Sequence, residues 1–257
     1  RLGGTAIEQV AELVAAAGDA RVTIAGGVTI ADEIATLDRL GADAQVGMAL
    51  YTGQLSLAEA FCAPLTSDRV DGLWPTVVTD ERGVALGLCY SSLESIEAAL
   101  ERGRGVYWSR ARGLWEKGAT SGATQGLLEI AADCDRDALR FTVTQAGSGF
   151  CHTGSRTCFG ADSGLARLER TLVRRAKGAP DGSYTRRLLD DPGLLRSKLL
   201  EEADELAEAR GGADIAWETA DLLYFALVAA ARGGVSLAAV EAELDRRSRA
   251  VTRRSAC

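Results

Sequence analysis

Three rhythms of apolar and polar positions follow one another along the 257 residues. Up to about residue 70 the pattern alternates helix with strand. Val22-Thr-Ile-Ala-Gly-Gly-Val28 reads as a buried strand ending in a glycine turn, residues 31–40 as an amphipathic helix, and Asp43-Ala-Gln-Val-Gly47 as a second strand ending in glycine. That alternation predicts a parallel α/β unit. From about residue 71 to 160 strand formers dominate. Residues 76–79 and 85–89 flank a turn at 80–83, residues 92–102 have helical spacing, and 127–137 and 139–145 read as strands. Glycine and small polar residues fill 113–126, which predicts a functional loop.

The third rhythm, from residue 161 on, is helical. Leu165, Leu168, Leu172 and Val173 have helical spacing behind Ser163, an N-cap candidate. Pro180-Asp-Gly-Ser183 reads as a turn. Further helices are expected at about 194–210, 214–232 and 237–249, separated by Gly211-Gly212 and Gly233-Gly234. Short breaks between helices predict a small antiparallel bundle.

Composition adds limits. The chain is 47% apolar and 25% charged with a net charge of −7, which argues against a broad nucleic-acid footprint and leaves room for a small phosphorylated substrate. The longest apolar run, 222–231, is too short to span a bilayer, and no export signal opens the sequence. The expectation is a cytoplasmic protein with no membrane and no nucleic-acid partner. The six cysteines (Cys62, Cys89, Cys134, Cys151, Cys158 and Cys257) then read as metal ligands or reduced core thiols rather than disulfides.

The sharpest local chemistry is Asp133-Cys-Asp-Arg-Asp137. In a strand, Asp133, Asp135 and Asp137 would project from one face. Three adjacent carboxylates repel unless a cation neutralises them, and oxygen ligands favour Mg²⁺ or Ca²⁺. A calcium-binding helix–loop–helix is a poor match, because Ala138 and Thr144 stand where it needs Gly and Glu. Taken alone, the run fits a solvated strand end equally well. Cys151-His-Thr-Gly154 and Cys158 follow shortly after. Cys134, Cys151 and Cys158 offer three thiolates to a Zn²⁺ with an open fourth position, which supplies hydroxide near neutral pH. His152, the sole histidine, suits a general base or proton shuttle.

Upstream lie Trp108, Ser109, Arg110 and Arg112, then Trp115 and Lys117, then Thr120, Ser121 and Gly122. Arginine and lysine grip phosphate, and tryptophan stacks on purines. Alone, a basic surface hairpin with core tryptophans explains them better.

In the helical region Lys198, Glu201, Glu202 and Glu205 share one helix, and Glu218 and Asp221 stand at i and i+3 on the next. The second helix, 213–231, is apolar nearly all round and so is expected to be buried. Its carboxylates then need partners, and a Mg²⁺ shared with the facing glutamates meets that need.

Together Trp108-Ser-Arg110, Leu114-Trp-x-Lys-Gly118, Thr120-Ser-Gly122, the 133–137 run, Cys151-His-Thr-Gly154 and Ser155-x-x-Cys-Phe159 resemble phosphoribosyl-AMP cyclohydrolase over nearly all of 71–160. The resemblance implies an α+β, β-rich domain in an intertwined dimer. There Cys134 would bind zinc with the partner subunit's Cys151 and the partner subunit's Cys158, and Asp133, Asp135 and Asp137 would bind magnesium. Ser91-Ser92 departs from the bacterial Met-Asn pattern and matches fused fungal forms.

The EExxE and ExxD pair, with Ser183-Tyr184-Thr185 and Asp221-Leu-Leu-Tyr224, resembles phosphoribosyl-ATP pyrophosphohydrolase over about 165–247. It implies an all-α domain holding Mg²⁺ through Glu202, Glu205, Glu218 and Asp221. By the same resemblance Glu201 would join the acidic site, and Lys198 and Arg187 would contact phosphate. Phe225 stands where bacterial members have His, again the fused fungal form. Such forms continue into a histidinol dehydrogenase, an activity not expected here.

Ala25-Gly-Gly-Val28 and Val46-Gly-Met-Ala-Leu-Tyr-Thr-Gly53 resemble the last two βα units of a phosphate-binding (β/α)₈ barrel, that of a histidine-pathway isomerase. The implied organisation is multidomain: an α/β partial-barrel remnant at 1–70, a cyclohydrolase domain at 71–160 and a helical pyrophosphohydrolase domain at 161–257. The implied function is a two-step, Zn²⁺- and Mg²⁺-dependent hydrolase acting on small nucleotides as a homodimer. A general nucleotide pyrophosphohydrolase with a structural zinc domain is the alternative.

Overall fold

The computed structural model describes residues 7–160, 162–180 and 182–250. They separate into two compact units, one up to residue 160 and one from Asp162 onward. Cys257, and Asp181 within the expected turn at 180–183, lie outside the described residues; Ser183 N donates to Pro180 O across that turn at 3.2 Å.

The first unit opens with α1 (Ile7–Ala17), β1 (Val22–Ala25), α2 (Ala31–Arg39), β2 (Ala42–Gln45), α3 (Met48–Tyr51) and α4 (Leu57–Cys62). β1 and β2 pair in parallel, as the alternation predicts, with Val22 opposite Ala42. Val10, Val28, Ile34, Leu37 and Ala49 bury one face of the pair, while Thr23 and Ala25 stay exposed. Two strands define no barrel, so a barrel remnant rests on the resemblance alone. α4 reaches the next core, where Ala58, Phe61 and Cys62 pack, and Thr66 N donates to Arg136 O at 2.9 Å.

A six-stranded sheet follows: β3 (Trp74–Thr79), β4 (Ala85–Ser91), β5 (Val106–Ser109), β6 (Gly113–Glu116), β7 (Gln125–Ala132) and β8 (Leu139–Gln145), with α5 (Leu93–Arg102) between β4 and β5. The spatial order is β6-β5-β4-β3-β8-β7, antiparallel except for the β3–β8 pair. Ser92 caps α5 by accepting from Ser95 N, and Gly103 ends it in the left-handed conformation. Val78, Leu86, Ile96, Val106, Tyr107 and Phe141 are fully buried in its core.

Two expectations change here. The strand ends at Ala132, so residues 133–138 form a tight turn, with Arg136 at φ 66°. Asp133 Oδ1 accepts from Asp137 N and Ala138 N at 3.1 Å each. A turn held by its own Asp side chain overrides strand propensity. The expected loop at 113–126 instead begins as β6, which pairs with β5 through four residues. Gly118, at φ +85°, then turns the chain so tightly that a Cβ there would lie 2.3 Å from the Ala123 backbone.

The second unit holds α6 (Gly164–Gly178), α7 (Tyr184–Asp190), α8 (Pro192–Glu208), α9 (Gly212–Arg232) and α10 (Leu237–Ala250). α7 has no counterpart in the sequence reading. Its Ser183 cap accepts from Arg186 N, and Asp191 then caps α8 through Gly193 N and Leu194 N. Ser163 sits at the α6 cap position but makes no side-chain cap bond. Leu172, Leu188, Leu195, Phe225 and Val228 form the core. The buried residues of α9, Phe225, Leu227 and Val228, all lie beyond its midpoint, while Ile215, Trp217 and Leu223 are 45%, 70% and 39% exposed. Within one chain its neighbours cover one side, so apolarity all round does not bring burial all round.

No single helix among the described residues is long and apolar enough to cross a membrane. The first unit's stability should rest heavily on Phe141, which is 0% exposed and stacks 5.3 Å from Tyr107. Phe141→Ala is expected to cost about 3–5 kcal/mol in urea unfolding of the intact chain; a loss under about 1 kcal/mol would contradict this packing.

Candidate active sites

The acidic turn gathers its three carboxylates: one oxygen each from Asp133, Asp135 and Asp137 lies within 4.8 Å of the others. The backbone amides that Asp133 accepts hold its pKa below the usual carboxylate value, while the charges of Asp135 and Asp133 push that of Asp137 up. The trio is thus a donor set of three oxygens, two of them exposed, whose like charges a cation would relieve. Cys134 sits exposed on the same turn.

The cysteine loop is pinned to the sheet in three places. Cys158 N donates to Leu86 O at 2.8 Å. The Phe150 ring lies over Gly87 so closely that a Cβ there would come within 2.2 Å of it. Arg156 Nη2 donates to the buried carboxylate of Asp80 at 3.2 Å. These pins place Cys151 beside Cys158. The Thr153 hydroxyl donates to Cys151 Sγ at 3.1 Å and, with Ser155, holds that thiol down to about 6. Burial raises Cys158 and pushes Cys89, beneath it, up to about 12. His152 Nδ1 lies 3.9 Å from Cys151 Sγ, and its residue is exposed. Among the described residues no third Cys, His, Asp or Glu ligand atom joins Cys151 and Cys158 within 4.8 Å. Cys134 of the same chain therefore does not complete their set.

The expected substrate residues divide. Leu88, Cys89, Tyr90, Trp108, Ser109, Arg110, Arg112 and Trp115 line one pocket of about 200 Å³. Arg69 and Arg110 both stack on the Tyr90 ring, at 4.5 and 4.8 Å, and Arg112 stacks on Trp115 at 5.1 Å. Thr120, Ser121 and Gly122 are exposed on the turn after Gly118. Lys117 is instead interior: Nζ donates to Ala123 O at 3.3 Å, and burial lowers its pKa against the pull of Cys89, Cys158 and Cys151. Sequence reasoning missed Arg69, Tyr90, Asp80 and Arg156. Their only signals were aromatic and charged residue types, and nothing in the spacing joined them.

In the helical unit one oxygen each from Glu202, Glu205 and Glu218 lies within 4.8 Å of the others. Glu202 is 6% exposed. Burial, then Asp221 and Glu205, push its pKa up; burial and Glu205 do the same to Glu218. Glu201 stands apart, exposed and paired with Lys198 at 2.7 Å. Ser183 caps α7, the Arg187 guanidinium stacks on Tyr184 at 6.0 Å, and Thr185 Oγ1 is 2.9 Å from the Tyr224 hydroxyl. Arg175 was not anticipated as part of this cluster, and Tyr224 entered the sequence reading only as the end of the Asp221–Tyr224 motif.

Residues 87–160 match the phosphoribosyl-AMP cyclohydrolase family model, and residues 165–248 match that of phosphoribosyl-ATP pyrophosphohydrolase. The chain is 53% identical over 201 residues to the histidine biosynthesis bifunctional protein his7 of Schizosaccharomyces pombe, covering 78% of this chain and 48% of that protein. It is 49% identical over 249 residues to the histidine biosynthesis trifunctional protein of Komagataella pastoris, covering 97% of this chain and 28% of that one. The chain thus spans about half or less of these fungal relatives. It is 40% identical to the histidine biosynthesis bifunctional protein HisIE of Deinococcus radiodurans, over 68% of this chain and 88% of that protein. Two family matches in tandem, with a relative of the same two-part build, place the chain: it belongs to the fused phosphoribosyl-AMP cyclohydrolase and phosphoribosyl-ATP pyrophosphohydrolase family of histidine biosynthesis.

Proposed function

We propose that this chain is a bifunctional hydrolase that cleaves phosphoribosyl-ATP to phosphoribosyl-AMP and pyrophosphate, then opens the purine ring of that product by hydrolysis. The observation that carries the reading is the pair of separate three-carboxylate clusters, one in each family-matched segment. The division at about residues 70 and 160 into an α/β piece, a cyclohydrolase domain and a pyrophosphohydrolase domain goes with it.

In the pyrophosphohydrolase domain Glu202, Glu205, Glu218 and Asp221 would hold Mg²⁺. The raised pKa values of Glu202 and Glu218 support this, since crowded carboxylates at neutral pH favour a divalent cation. The ion, when bound, supplies Lewis-acid polarisation of phosphate oxygens. Lys198, paired with Glu201, stands ready to neutralise phosphate charge.

In the cyclohydrolase domain Cys151 and Cys158 would hold zinc with Cys134 of a second copy, and Asp133, Asp135 and Asp137 would hold Mg²⁺. The low thiol pKa of Cys151 supports the first assignment, because thiolate is the ligand form. The separation of Cys134 from the pair within one chain supports a homodimer with a shared site. A zinc ion with an open position supplies Lewis-acid chemistry and an acidified water. His152, beside Cys151, is placed to move a proton, while Trp108, Arg110, Arg112 and Trp115 orient the nucleotide.

Cys151→Ser is expected to abolish ring opening and spare pyrophosphate release, and Glu218→Gln to do the reverse. Each loss should reach at least the roughly 10–100-fold of an outer-shell change at a metal site. Pyrophosphate release from phosphoribosyl-ATP and ring-opening absorbance on separately supplied phosphoribosyl-AMP check this; loss of both activities in either variant would sink the two-site reading.

A second prediction concerns charge and stability. Glu202 takes up its proton more readily folded than unfolded, so metal-free protein should lose stability as pH rises from the carboxylate range through that raised value. Mg²⁺ should restore it at pH 8, and Glu202→Gln should raise the metal-free melting temperature while abolishing the Mg²⁺ response. A wild-type melting temperature indifferent to Mg²⁺ would rule this out.

A further inference from the structure

Beside the carboxylate helices lies an open pocket of about 410 Å³, lined by Arg175, Ser183, Tyr184, Thr185 and Tyr224 together with Pro180 and Gly182. Four hydroxyl-bearing residues and one guanidinium line it, and no described lining residue is acidic. Arg175 Nη1 donates to Thr185 Oγ1 at 2.7 Å, and Thr185 Oγ1 meets the Tyr224 hydroxyl at 2.9 Å. Thr185 is 1% exposed, so this relay is fixed in the fold. A threonine hydroxyl takes one of the five donors of a guanidinium and none of its charge. Among the described residues no carboxylate pairs with Arg175. A cation fixed by a neutral partner, in a pocket of hydroxyls, is a site for a phosphate oxyanion.

Two links tie the pocket to the carboxylates. Tyr224 follows Asp221 by three residues on α9, one turn along the same face. α7, which carries Tyr184 and Thr185, packs against both α8 and α9. Tyr224 of the pocket therefore stands one helical turn along α9 from Asp221 of the proposed cleavage site.

We propose that this pocket receives the departing diphosphate of the pyrophosphohydrolase substrate, with Arg175 as its binding cation and Thr185 as the residue that positions Arg175. The proposal rests on the reading of the α8–α9 carboxylates as the pyrophosphohydrolase site. In phosphoribosyl-ATP the diphosphate adjoins the scissile bond, whereas the ribosyl 5′-phosphate lies beyond the nucleoside. When the α–β anhydride breaks, the water oxygen joins the α-phosphorus, its protons pass to the surroundings, and the leaving diphosphate keeps the bridging oxygen with its electron pair. Charge thus grows on the leaving group, and a preorganised guanidinium in this pocket stabilises it there.

The test is titration calorimetry of inorganic pyrophosphate, in Mg²⁺, into the full chain and its Arg175→Met and Arg175→Lys variants. Melting temperatures are recorded alongside, and phosphoribosyl-AMP is titrated as the second ligand in a Cys151→Ser background, in which its ring is not opened. Arg175→Met should weaken pyrophosphate binding at least about tenfold at an unchanged melting temperature, the scale of one lost charge-assisted contact. Arg175→Lys, which keeps the charge without the fork, should fall between. Phosphoribosyl-AMP binding should be nearly unaffected. Equal pyrophosphate affinity in wild type and Arg175→Met, no pyrophosphate binding by wild type, or a loss confined to phosphoribosyl-AMP would overturn the proposal. Pyrophosphate binding through Arg175 in a chain that cleaves no phosphoribosyl-ATP would uphold the pocket and remove the enzymatic reading of its neighbour.

Discussion

Like charge held close in the folded chain shapes both halves of this protein. Asp133, Asp135 and Asp137 are brought together by a turn, and Glu202, Glu205 and Glu218 by two helices; in each trio the ligand oxygens lie within 4.8 Å. Repulsion on that scale works against folding unless protons or cations relieve it. The two clusters answer differently. The turn uses backbone amides to keep Asp133 charged while Asp137 is pushed toward its protonated form. The helices bury Glu202 among other carboxylates and push both Glu202 and Glu218 up. Each half thereby gathers like charge that the proposed metal ions would relieve.

The surroundings keep these groups in place. The cysteine loop is pinned through Leu86, Gly87 and Asp80, so Cys151 and Cys158 lie beside one another in a loop held against the sheet. The Asp191 cap and Pro192 start α8 at a defined residue, which sets the angular position of Glu202 and Glu205. The Arg175–Thr185–Tyr224 relay does the same for the one described cation in its pocket. Interactions of this kind, with partners distant in sequence, convert a set of motifs into sites.

Much of this was legible in the residues because metal and phosphate chemistry needs particular side chains at short spacing. Glu202 and Glu205 of α8 with Glu218 of α9, the Asp133–Asp137 run and the Cys151–Cys158 pair all announce themselves that way, whereas Asp221, expected beside Glu218, is not among the gathered oxygens. The parallel β1–β2 pair and most helices followed from periodicity. What was not legible depends on contacts across the fold. Spacing suggested a strand through residue 137, yet Asp133 bonds its own backbone and makes a turn. Lys117 sits in a phosphate-like motif, yet its ammonium is folded against Ala123 O and a thiol cluster. Arg69, Tyr90, Asp80 and Arg156 meet only through sheet pairing and loop packing. Trp217 is apolar in sequence and exposed in one chain, because helix composition does not say how many neighbours a helix has.

The most direct measurement follows pyrophosphate release and ring-opening absorbance together, on the full chain with phosphoribosyl-ATP, Mg²⁺ and Zn²⁺, before and after chelation. The account predicts that pyrophosphate appears first, ring opening follows, and chelation removes both, with each returning when its ion is restored. Pyrophosphate release without ring opening would contradict it, leaving the cysteine loop and acidic turn as structural features of a single-activity enzyme.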